Sequence, residues 1–264
     1  MRKNVLRELI KAGKPSLGTH FACPWPTIIE IIGHSGVFDY VEFQAEYAPY
    51  DLFTLENMGR AIDTFEHLSG MIKIEQEPRT YIAAKALNSG FQNVLFADIR
   101  TVEDAREAVR AARAETPGVG GRRGVAAGRD VGVVLEGGSP AFVQATQDTV
   151  VAIMIEKKEA VENLESILDV PGIDMVNFGP SDYSMSIGVP GQRNHPAVLE
   201  AEKYVIETAL RKGVIPRVET GGPDEMKRYI DMGVRHFCNG GDVWTLFRWC
   251  KESGGAMRRV LESL

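Results

Sequence analysis

The sequence predicts an α/β fold in which eight parallel strands and their helices close into a (β/α)₈ TIM barrel. Short apolar segments alternate with amphipathic segments of helical spacing along the 264 residues. Eight strands can be counted, most of them followed by a helix, which favours a parallel sheet. Barrels of this kind commonly occupy a chain of this length as one unit. A doubly wound open sheet is the alternative, but short, evenly spaced strands favour the barrel, and we expect a single domain over residues 1–264.

The first half of the chain supplies four strand and helix units. Its helices follow apolar residues spaced three and four apart, and Thr101 with Asp104 three residues later indicates a capped helix start. The predicted strands are Ser16–Phe21, Phe38–Gln44, Met71–Glu75 and Asn93–Ala97. The predicted helices are Val5–Ala12, Pro26–His34, Thr54–Leu68, Thr80–Asn88 and Thr101–Ala114.

A glycine-rich segment, Thr116–Gly138, interrupts this alternation and carries Arg122 and Arg123 at its centre. Long inserts of this composition are more often functional or mobile than filler. Strands are predicted near residues 153 and 176 and at Val214–Val218 and His236–Asn239. Helices are predicted at Ser139–Asp148, between the strands near 153 and 176, at Pro196–Lys212, at Pro223–Met232 and in the tail Val243–Leu264.

Composition excludes several classes of function. The net charge of -6 argues against a nucleic-acid partner, which favours basic faces. Cys23, Cys238 and Cys250 show neither a disulfide framework nor zinc-ligand spacing, so we expect a reducing cytoplasm. No apolar run is long enough for a membrane span, and we expect no membrane partner.

The stretch Val150–Ser184 holds the strongest functional signal. One apolar run ends at Glu156 and the next ends just before Asp182, with an amphipathic helix between them. Parallel strands joined by a crossover helix end at the same edge of the sheet, so both carboxylates can face one space. Two such carboxylates suit Mg²⁺ or Mn²⁺, with Co²⁺ or Zn²⁺ as alternatives. Two unrelated surface acids would be the simpler interpretation.

Polar residues also fall at the other predicted strand ends, where barrels place their functional groups. The predicted ring consists of His20, Gln44, Glu46, Tyr47, Lys73, Glu75, Asp98, Glu156, Asp182, Glu219 and Asp242.

The turn Gly179-Pro180-Ser181-Asp182 suits an anionic substrate. Gly179 allows close approach of the backbone, and Ser181 or Asp182 can cap the following helix, whose free N–H groups attract an anion. A 2-oxo acid could place its carboxylate there while its keto oxygen reaches a metal at Asp182. An ordinary helix cap is the alternative.

The segment IMIEKKEAVENLESILDVPGIDMVNFGPSDYSMSIG, residues 153–188, resembles the metal-binding core of the HpcH/HpaI aldolases. Similar pieces recur in order: Phe38-Asp39-Tyr40 through Pro49, the helix that begins near Asp104, and Pro117-Gly118 followed by Arg122-Arg123-Gly124. The resemblance extends over nearly the whole chain.

The resemblance implies a metal-dependent carbon–carbon lyase of the aldehyde-lyase type that acts on 2-oxo acids such as pyruvate. It makes Glu156 and Asp182 the metal ligands, with substrate oxygens and water completing an octahedron. It also implies a homo-oligomer, a hexamer or trimer, in which the C-terminal helix packs on a neighbouring subunit. Trp244, Phe247 and Trp249 fit such an interface, and they fit an intramolecular contact equally well.

The chain departs from the family pattern opposite this metal pair. Gln44 and Tyr47 stand where the family usually carries an Asp and a His that take part in proton transfer. Lys73 aligns with an Arg that contacts the oxo acid, and it keeps the charge but not the bidentate fork. Gln44 cannot titrate, and Tyr47 ordinarily has a pKa of about 10.

Two further residues are candidates by position. His20 lies at the end of the first strand, where the family often carries Trp, and is a candidate acid or base; the alternative is a surface or hydrogen-bonding histidine. Arg123 aligns with the family's Arg-Gly pair and is a candidate for a second anionic group of the substrate. A contact with a neighbouring subunit or a solvated loop are the other interpretations of Arg123.

We therefore expect an aldolase that cleaves or forms 4-hydroxy-2-oxo acids through a pyruvate enolate, with an aldehyde as the second substrate. The catalytic candidates are Tyr47, Lys73, His20 and Gln44, and the substrate-binding candidates are Gly179, Pro180, Ser181 and Arg123. Decarboxylation of an oxo acid or biosynthetic carbon–carbon bond formation with the same metal chemistry is one alternative. A barrel that binds an oxo acid without catalysis is the other.

Overall fold

A computed structural model, which describes residues 2–264, confirms the closed (β/α)₈ barrel. All eight strands are parallel and pair in chain order, and β8 pairs with β1, which excludes the open sheet. The strands are β1 Ser16–Phe21, β2 Tyr40–Gln44, β3 Ser69–Ile74, β4 Asn93–Phe96, β5 Val150–Ile155, β6 Met175–Phe178, β7 Ile215–Thr220 and β8 His236–Asn239.

The helices surround this barrel and follow the predicted order. They are α1 Val5–Lys11, α2 Thr27–Ser35, α3 Leu52–Asp63, α4 Arg79–Asn88, α5 Val102–Ala112, α6 Pro140–Asp148, α7 Lys158–Glu162, α8 Leu164–Leu168, α9 Pro180–Ser186, α10 Pro196–Lys212, α11 Pro223–Asp231, α12 Asp242–Trp249 and α13 Gly255–Leu261. The predicted capping box is present, since the Thr101 side chain accepts from the Asp104 N–H and the Asp104 carboxylate accepts from the Thr101 N–H.

Three local predictions need correction. Helix α3 begins at Leu52 rather than Thr54 because the Asp51 carboxylate accepts the Thr54 N–H at 2.7 Å and starts the helix earlier. The single helix predicted after Glu156 is two short helices that meet at Asn163. The tail predicted as helical over Val243–Leu264 contains a π-helical turn, Cys250–Gly254, which joins α12 to α13.

The register divides the barrel interior into an apolar half and a polar half. Inward-facing residues of β3 to β6 form a buried apolar cluster that includes Met71, Leu95, Ala152 and Met175. Leu6 of α1 packs on the same cluster and closes the amino end of the barrel. These side chains are of the apolar kind that usually fills barrel interiors.

The polar half lies on β7, β8, β1 and β2. Glu42 and Arg217 form an ion pair there, and neither side chain has any exposed surface. His20 is the register partner of Glu42, and Glu219 is the register partner of Cys238. Strands β1, β2, β7 and β8 therefore present polar side chains towards the inner space, and Asn177 of β6 joins them, since its Oδ1 accepts from Arg217 Nη1 at 3.0 Å. Apolar side chains of β3 to β6 face the same space.

The C-terminal helices project from the barrel. Trp244, Phe247 and Trp249 are 71%, 54% and 63% exposed, and Trp244 meets Phe247 edge to face at a centroid distance of 6.1 Å. The described chain contains no helix with both the length and the apolar character that crossing a membrane requires.

Candidate active site

Glu156 is a buried acid at the carboxyl end of the barrel. It follows β5 directly and is 2% exposed. Its Oε1 accepts the backbone N–H of Asp98 at 2.8 Å. Asp98 has a φ of 53°, a left-handed conformation that is uncommon for a residue with a side chain. The turn after β4 thus adopts an unfavourable conformation and fixes one oxygen of Glu156.

Gly179 is required at its position by space. A Cβ at this residue would lie 2.7 Å from both the Cβ and the Oε2 of Glu156, which is closer than such atoms approach. Any larger residue would push the Glu156 carboxylate away from the turn that leads to Asp182. The glycine predicted to allow close approach therefore makes room for Glu156.

The surroundings of Glu156 disfavour its negative charge. Burial raises the pKa of its carboxyl to about 7, and the carboxylates of Asp182 and Glu46 act in the same direction. Lys73 and the N–H of Asp98 oppose this rise of the pKa only in part. A buried carboxylate beside other acids is stabilised by a cation, which favours its ionised form.

Asp182 lies in the first turn of α9 and is the more accessible acid of the pair. Its side chain is 39% exposed, and its Oδ1 accepts from the Lys157 ammonium at 2.6 Å. Gly179 occupies the N-cap position of α9, so the expectation that Ser181 or Asp182 caps this helix is wrong. Asp182 consequently keeps its carboxylate for side-chain contacts and ligands.

The donor set of Glu156 and Asp182 fits a hard divalent cation. Both offer carboxylate oxygens, and they stand close enough for the charge of Asp182 to raise the pKa of Glu156. Two carboxylates, with the remaining positions left to water and substrate, are the usual protein contribution to a Mg²⁺ site.

Lys73 provides the permanent positive charge of the site. It is 4% exposed, and its Nζ lies 2.8 Å from the Tyr47 hydroxyl and 2.7 Å from Oε2 of Glu46. Burial acts to lower the pKa of Lys73, but Glu156 and these two neighbours outweigh it, so the pKa is raised. Lys73 is therefore a fixed cation beside Glu156 rather than a proton carrier.

Tyr47 contacts the same ammonium group but remains protonated at neutral pH. Burial of its hydroxyl raises the pKa of Tyr47 to about 12, since the lowering effect of Lys73 is insufficient and Glu46 acts against it. Its ring also lies under the Lys73 ammonium, 4.6 Å from the centroid. Tyr47 can donate a hydrogen bond or position Lys73, but it is a poor base.

Gln44 joins the site to the polar half of the barrel. Its Nε2 donates to Oε1 of Glu42 at 2.5 Å, and the other oxygen of Glu42 accepts from Arg217. The structure thus directs the Gln44 amide towards Glu42, where it satisfies a buried carboxylate.

His20 faces two acids across the mouth of the barrel. Its Nε2 lies 3.4 Å from Oε1 of Glu42 and 3.5 Å from Oε1 of Glu219. Burial acts to lower the pKa of His20, yet Cys238, Glu219 and Glu42 raise it well above its usual range. His20 is thus the titratable imidazole of this space, and it holds its proton at neutral pH.

Arg123 does not join these residues. Its guanidinium is buried, donates to Asn88 Oδ1 at 2.9 Å and pairs with Asp130. It lines a cleft beside Gln92 and Thr149, which lie at the amino ends of β4 and β5. The expectation that Arg123 binds substrate within its own barrel is therefore wrong, because the ion pair with Asp130 holds it at the opposite end.

The residues that stabilise the polar half were not predicted from the sequence. Glu42, Arg217 and Asn177 lie within strands, and a strand prediction based on apolar residues assigns no role to a single polar one. Arg217 Nη1 donates to Asn177 Oδ1 at 3.0 Å, and its Nε donates to the Tyr40 hydroxyl at 2.8 Å. The presence of both Glu42 and Arg217 in buried strands was the available signal, since buried charges need partners.

The comparisons with known proteins concern the family and the fold. The family model described as HpcH/HpaI aldolase/citrate lyase matches residues 20–245. The chain is 29% identical over 252 residues to the 4-hydroxy-2-oxo-heptane-1,7-dioate aldolase of Shigella boydii serotype 18 (strain CDC 3083-94 / BS512), covering 93% of this chain and 92% of that protein.

Solved structures share the same architecture. An HpcH/HpaI aldolase/citrate lyase family protein from Burkholderia cenocepacia J2315 matches with a TM-score of 0.87 at 26% identity, over 97% of this chain and 100% of that chain. The protein CitE from Mycobacterium tuberculosis, solved in complex with magnesium and acetate, is a more distant neighbour. It shares the fold at 10% identity with a TM-score of 0.56, over 89% of this chain and 87% of that one.

Proposed function

The chain belongs to the HpcH/HpaI aldolase/citrate lyase family, and from this premise we propose that it cleaves and forms 4-hydroxy-2-oxo acids through the enolate of pyruvate. The observation that carries the proposal is the pair of acids at adjacent strand ends, Glu156 and Asp182, with Gly179 making room between them. The curated relatives named 4-hydroxy-2-oxo-heptane-1,7-dioate aldolase support the substrate class.

Glu156 and Asp182 would hold a divalent cation, Mg²⁺ or Mn²⁺. When bound, such a cation supplies Lewis-acid polarisation of a keto oxygen. The protein's own part begins with the buried Glu156, whose Oε1 is fixed by the Asp98 N–H. The backbone N–H groups of Ser181 and Asp182 lie in the first turn of α9 and would receive the substrate carboxylate.

Lys73 would stabilise the negative charge that develops on the keto oxygen. Its ammonium is buried, and its raised pKa keeps it charged throughout the reaction. A preorganised charge in a site of low dielectric costs no reorganisation when the oxyanion forms. The Tyr47 hydroxyl accepts one hydrogen bond from Lys73 and so fixes the direction of the ammonium group.

His20 is the residue that we propose moves the proton. In the cleavage direction, neutral His20 takes the proton of the 4-hydroxyl group, the C3–C4 bond breaks, and the aldehyde leaves. The imidazolium then returns the proton to C3 of the enolate and yields pyruvate. The acids at 3.4 and 3.5 Å stabilise the imidazolium form, so turnover should rise with pH as more His20 becomes neutral.

Exchange of the methyl protons of pyruvate with solvent tests this function without knowledge of the aldehyde. We expect exchange by the wild-type protein with Mn²⁺ and none after chelation. Asp182→Ala should abolish exchange, whereas the exposed control Glu162→Gln should retain it. Binding of Mn²⁺ and pyruvate without exchange would contradict the proposal and favour a barrel that only binds the oxo acid.

A second assay separates aldol cleavage from decarboxylation. Pyruvate with a panel of aldehydes should give condensation products, whereas oxaloacetate should not lose carbon dioxide faster than in a Glu156→Gln variant. The reverse pattern would assign the same metal chemistry to a decarboxylase.

We also propose that the protein assembles as a homo-oligomer through its C-terminal helices. Trp244, Phe247 and Trp249 are all exposed on α12, and Trp244 packs edge to face on Phe247, so this helix presents aromatic surface that water solvates poorly. Light scattering of the wild type should show an oligomer, and Trp244→Ser with Trp249→Ser should reduce its size. A monomeric wild type would contradict the assembly and leave the proposed catalysis untouched.

A further inference from the structure

A cluster of three metal-binding side chains lies in the polar half of the barrel, separate from Glu156 and Asp182. Among residues 2–264, one group of three side chains has the ligand types and spacing that a metal ion needs: His20, Glu42 and Cys238. One ligand atom of each lies within 4.8 Å of the other two. The two acids of the aldolase site belong to β5 and α9, whereas this cluster belongs to β1, β2 and β8.

The cluster carries a buried nitrogen without a partner. The Nε2 atom of His20 is inaccessible to solvent and forms no hydrogen bond with any described residue. It is directed between Glu42 and Glu219, with separations of 3.4 and 3.5 Å to their Oε1 atoms. These distances match the spacing between two ligand atoms of a tetrahedral zinc ion with bonds of about 2 Å.

We propose that His20, Glu42 and Cys238 form a second metal site, which selects a thiophilic divalent cation such as Zn²⁺ over Mg²⁺. Thiolate and imidazole ligands favour zinc, whereas Mg²⁺ requires oxygen ligands in an octahedron. Glu219 is 37% exposed on the open side of the cluster and is the natural fourth ligand or the neighbour of a bound water. Three protein ligands with a fourth open position are typical of reactive zinc sites.

The charges of the cluster allow this ion. Glu42 and Glu219 bring two negative charges, and Arg217 is an adjacent positive charge, with its Nη1 3.6 Å from Glu219. A divalent ion bound there would be balanced by Glu42 and by the Cys238 thiolate, because a coordinated thiol is deprotonated.

The cluster is largely buried, and His20 is its most exposed member. Cys238 and Glu42 are fully buried, but the His20 side chain is 16% exposed and forms the solvent side of the cluster. Metal binding by His20, Glu42 and Cys238 does not depend on a catalytic role for any of them. One consequence does depend on the proposed function: zinc at this site occupies the nitrogen that moves the proton and should inhibit turnover.

Cobalt substitution gives a readout that does not depend on activity. A thiolate bound to Co²⁺ produces an intense near-ultraviolet charge-transfer band, which an all-oxygen site such as Glu156 with Asp182 cannot produce. The experiment uses the full chain with Cys23→Ser and Cys250→Ser, so that Cys238 is the remaining thiol. We expect the band on addition of one equivalent of Co²⁺ and its loss when Zn²⁺ displaces the cobalt.

Two variants in this background locate the ligands. Cys238→Ser, which preserves shape, should abolish the band, and His20→Gln should weaken Co²⁺ affinity by at least about tenfold. Asp182→Ala removes the aldolase ligand and should leave the band intact. Absence of the band in the background protein, or its persistence after Cys238→Ser, overturns the second site. Loss of the band in Asp182→Ala overturns it too, since the thiolate signal would then depend on the aldolase metal.

Failure of the aldolase proposal is distinguishable from failure of this one. A protein that shows the cobalt band but no exchange of pyruvate protons has the second site without the proposed catalysis. A protein that exchanges protons without the band has the reverse. Zinc inhibition of exchange that disappears in Cys238→Ser would confirm that the two sites are coupled through His20.

Discussion

Replacing Glu156 by glutamine should stabilise the metal-free protein, and it should do so more at high pH than at low pH. The folded chain raises the pKa of this carboxyl from 4.5 to about 7, chiefly by burial. The folded state therefore binds the proton more tightly than the unfolded state. Stability contributed by the protonated acid is complete below pH 4.5 and is lost as the pH rises through about 7.

The magnitude follows from the two pKa values. Because the pKa is higher in the folded protein, the titration of Glu156 lowers the free energy of unfolding by about 3 kcal/mol at pH 8 and by about 1 kcal/mol at about pH 5. Glutamine carries no charge, and its oxygen can still accept the N–H of Asp98. We therefore expect Glu156→Gln to gain about 2 kcal/mol more stability at pH 8 than at pH 5, relative to the wild type.

Urea unfolding followed by circular dichroism, in the presence of a chelator, measures this difference. Glu162→Gln on the exposed face of α7 is the matched control and should show no such pH dependence of its difference from the wild type. A free-energy difference for Glu156→Gln that stays constant between pH 5 and pH 8 would refute the reasoning. Saturating Mn²⁺ should nearly cancel the difference at pH 8, because at 100 times Kd it stabilises the wild type by about 2.7 kcal/mol.

Gly179→Ala should weaken Mn²⁺ binding by at least about tenfold in calorimetry, because its methyl group would lie 2.7 Å from the Glu156 carboxylate; an unchanged affinity would show that the turn adjusts. Arg217→Met should destabilise the protein by about 3–5 kcal/mol in urea unfolding, because it leaves the fully buried Glu42 unpaired. Combining Arg217→Met with Glu42→Leu should recover most of the lost free energy of unfolding. If the double variant lost as much as the single one, the unpaired Glu42 would not be the cause. Tyr47→Phe should lower kcat/KM about tenfold without removing an ionisation from its pH profile, since the pKa of Tyr47 is about 12; a lost ionisation would assign it the role of base.

The architecture was predictable because it rests on repeated, local patterns. Eight apolar segments separated by helical ones leave few parallel topologies, and the crossover rule then places Glu156 and the Asp182 turn at one edge. Gly179 was predicted only as a position of close backbone approach. The structure adds what its neighbour is, since the atom that excludes a side chain belongs to Glu156.

The placement of Arg123 was not predictable from its motif. A loop that carries Arg-Gly can lie at either end of a barrel, and its position depends on tertiary contacts. The partner that decides it is Asp130, seven residues later in the same glycine-rich segment. Asp130 lies in an irregular segment, so its position follows no helical or strand periodicity that would identify it as a partner. The alignment of Arg123 with the family's Arg-Gly pair therefore suggested a substrate-binding role that the ion pair prevents.

The replacement of an acid by Gln44 has a physical reason in the neighbouring strands. Glu42 is completely buried and already shares its two oxygens between Arg217 and the Gln44 amide. A carboxylate at position 44 would lie 2.5 Å from another carboxylate in place of a hydrogen bond, and one of the two would have to take up a proton. The buried charge of Glu42 therefore requires a neutral side chain such as the Gln44 amide beside it. Since Gln44 cannot titrate, the group that can exchange a proton on this side of the mouth is His20 on β1. For this reason we expect the proton chemistry of this barrel to follow His20, Glu42 and Glu219, while Glu156 and Asp182 hold the proposed metal ion.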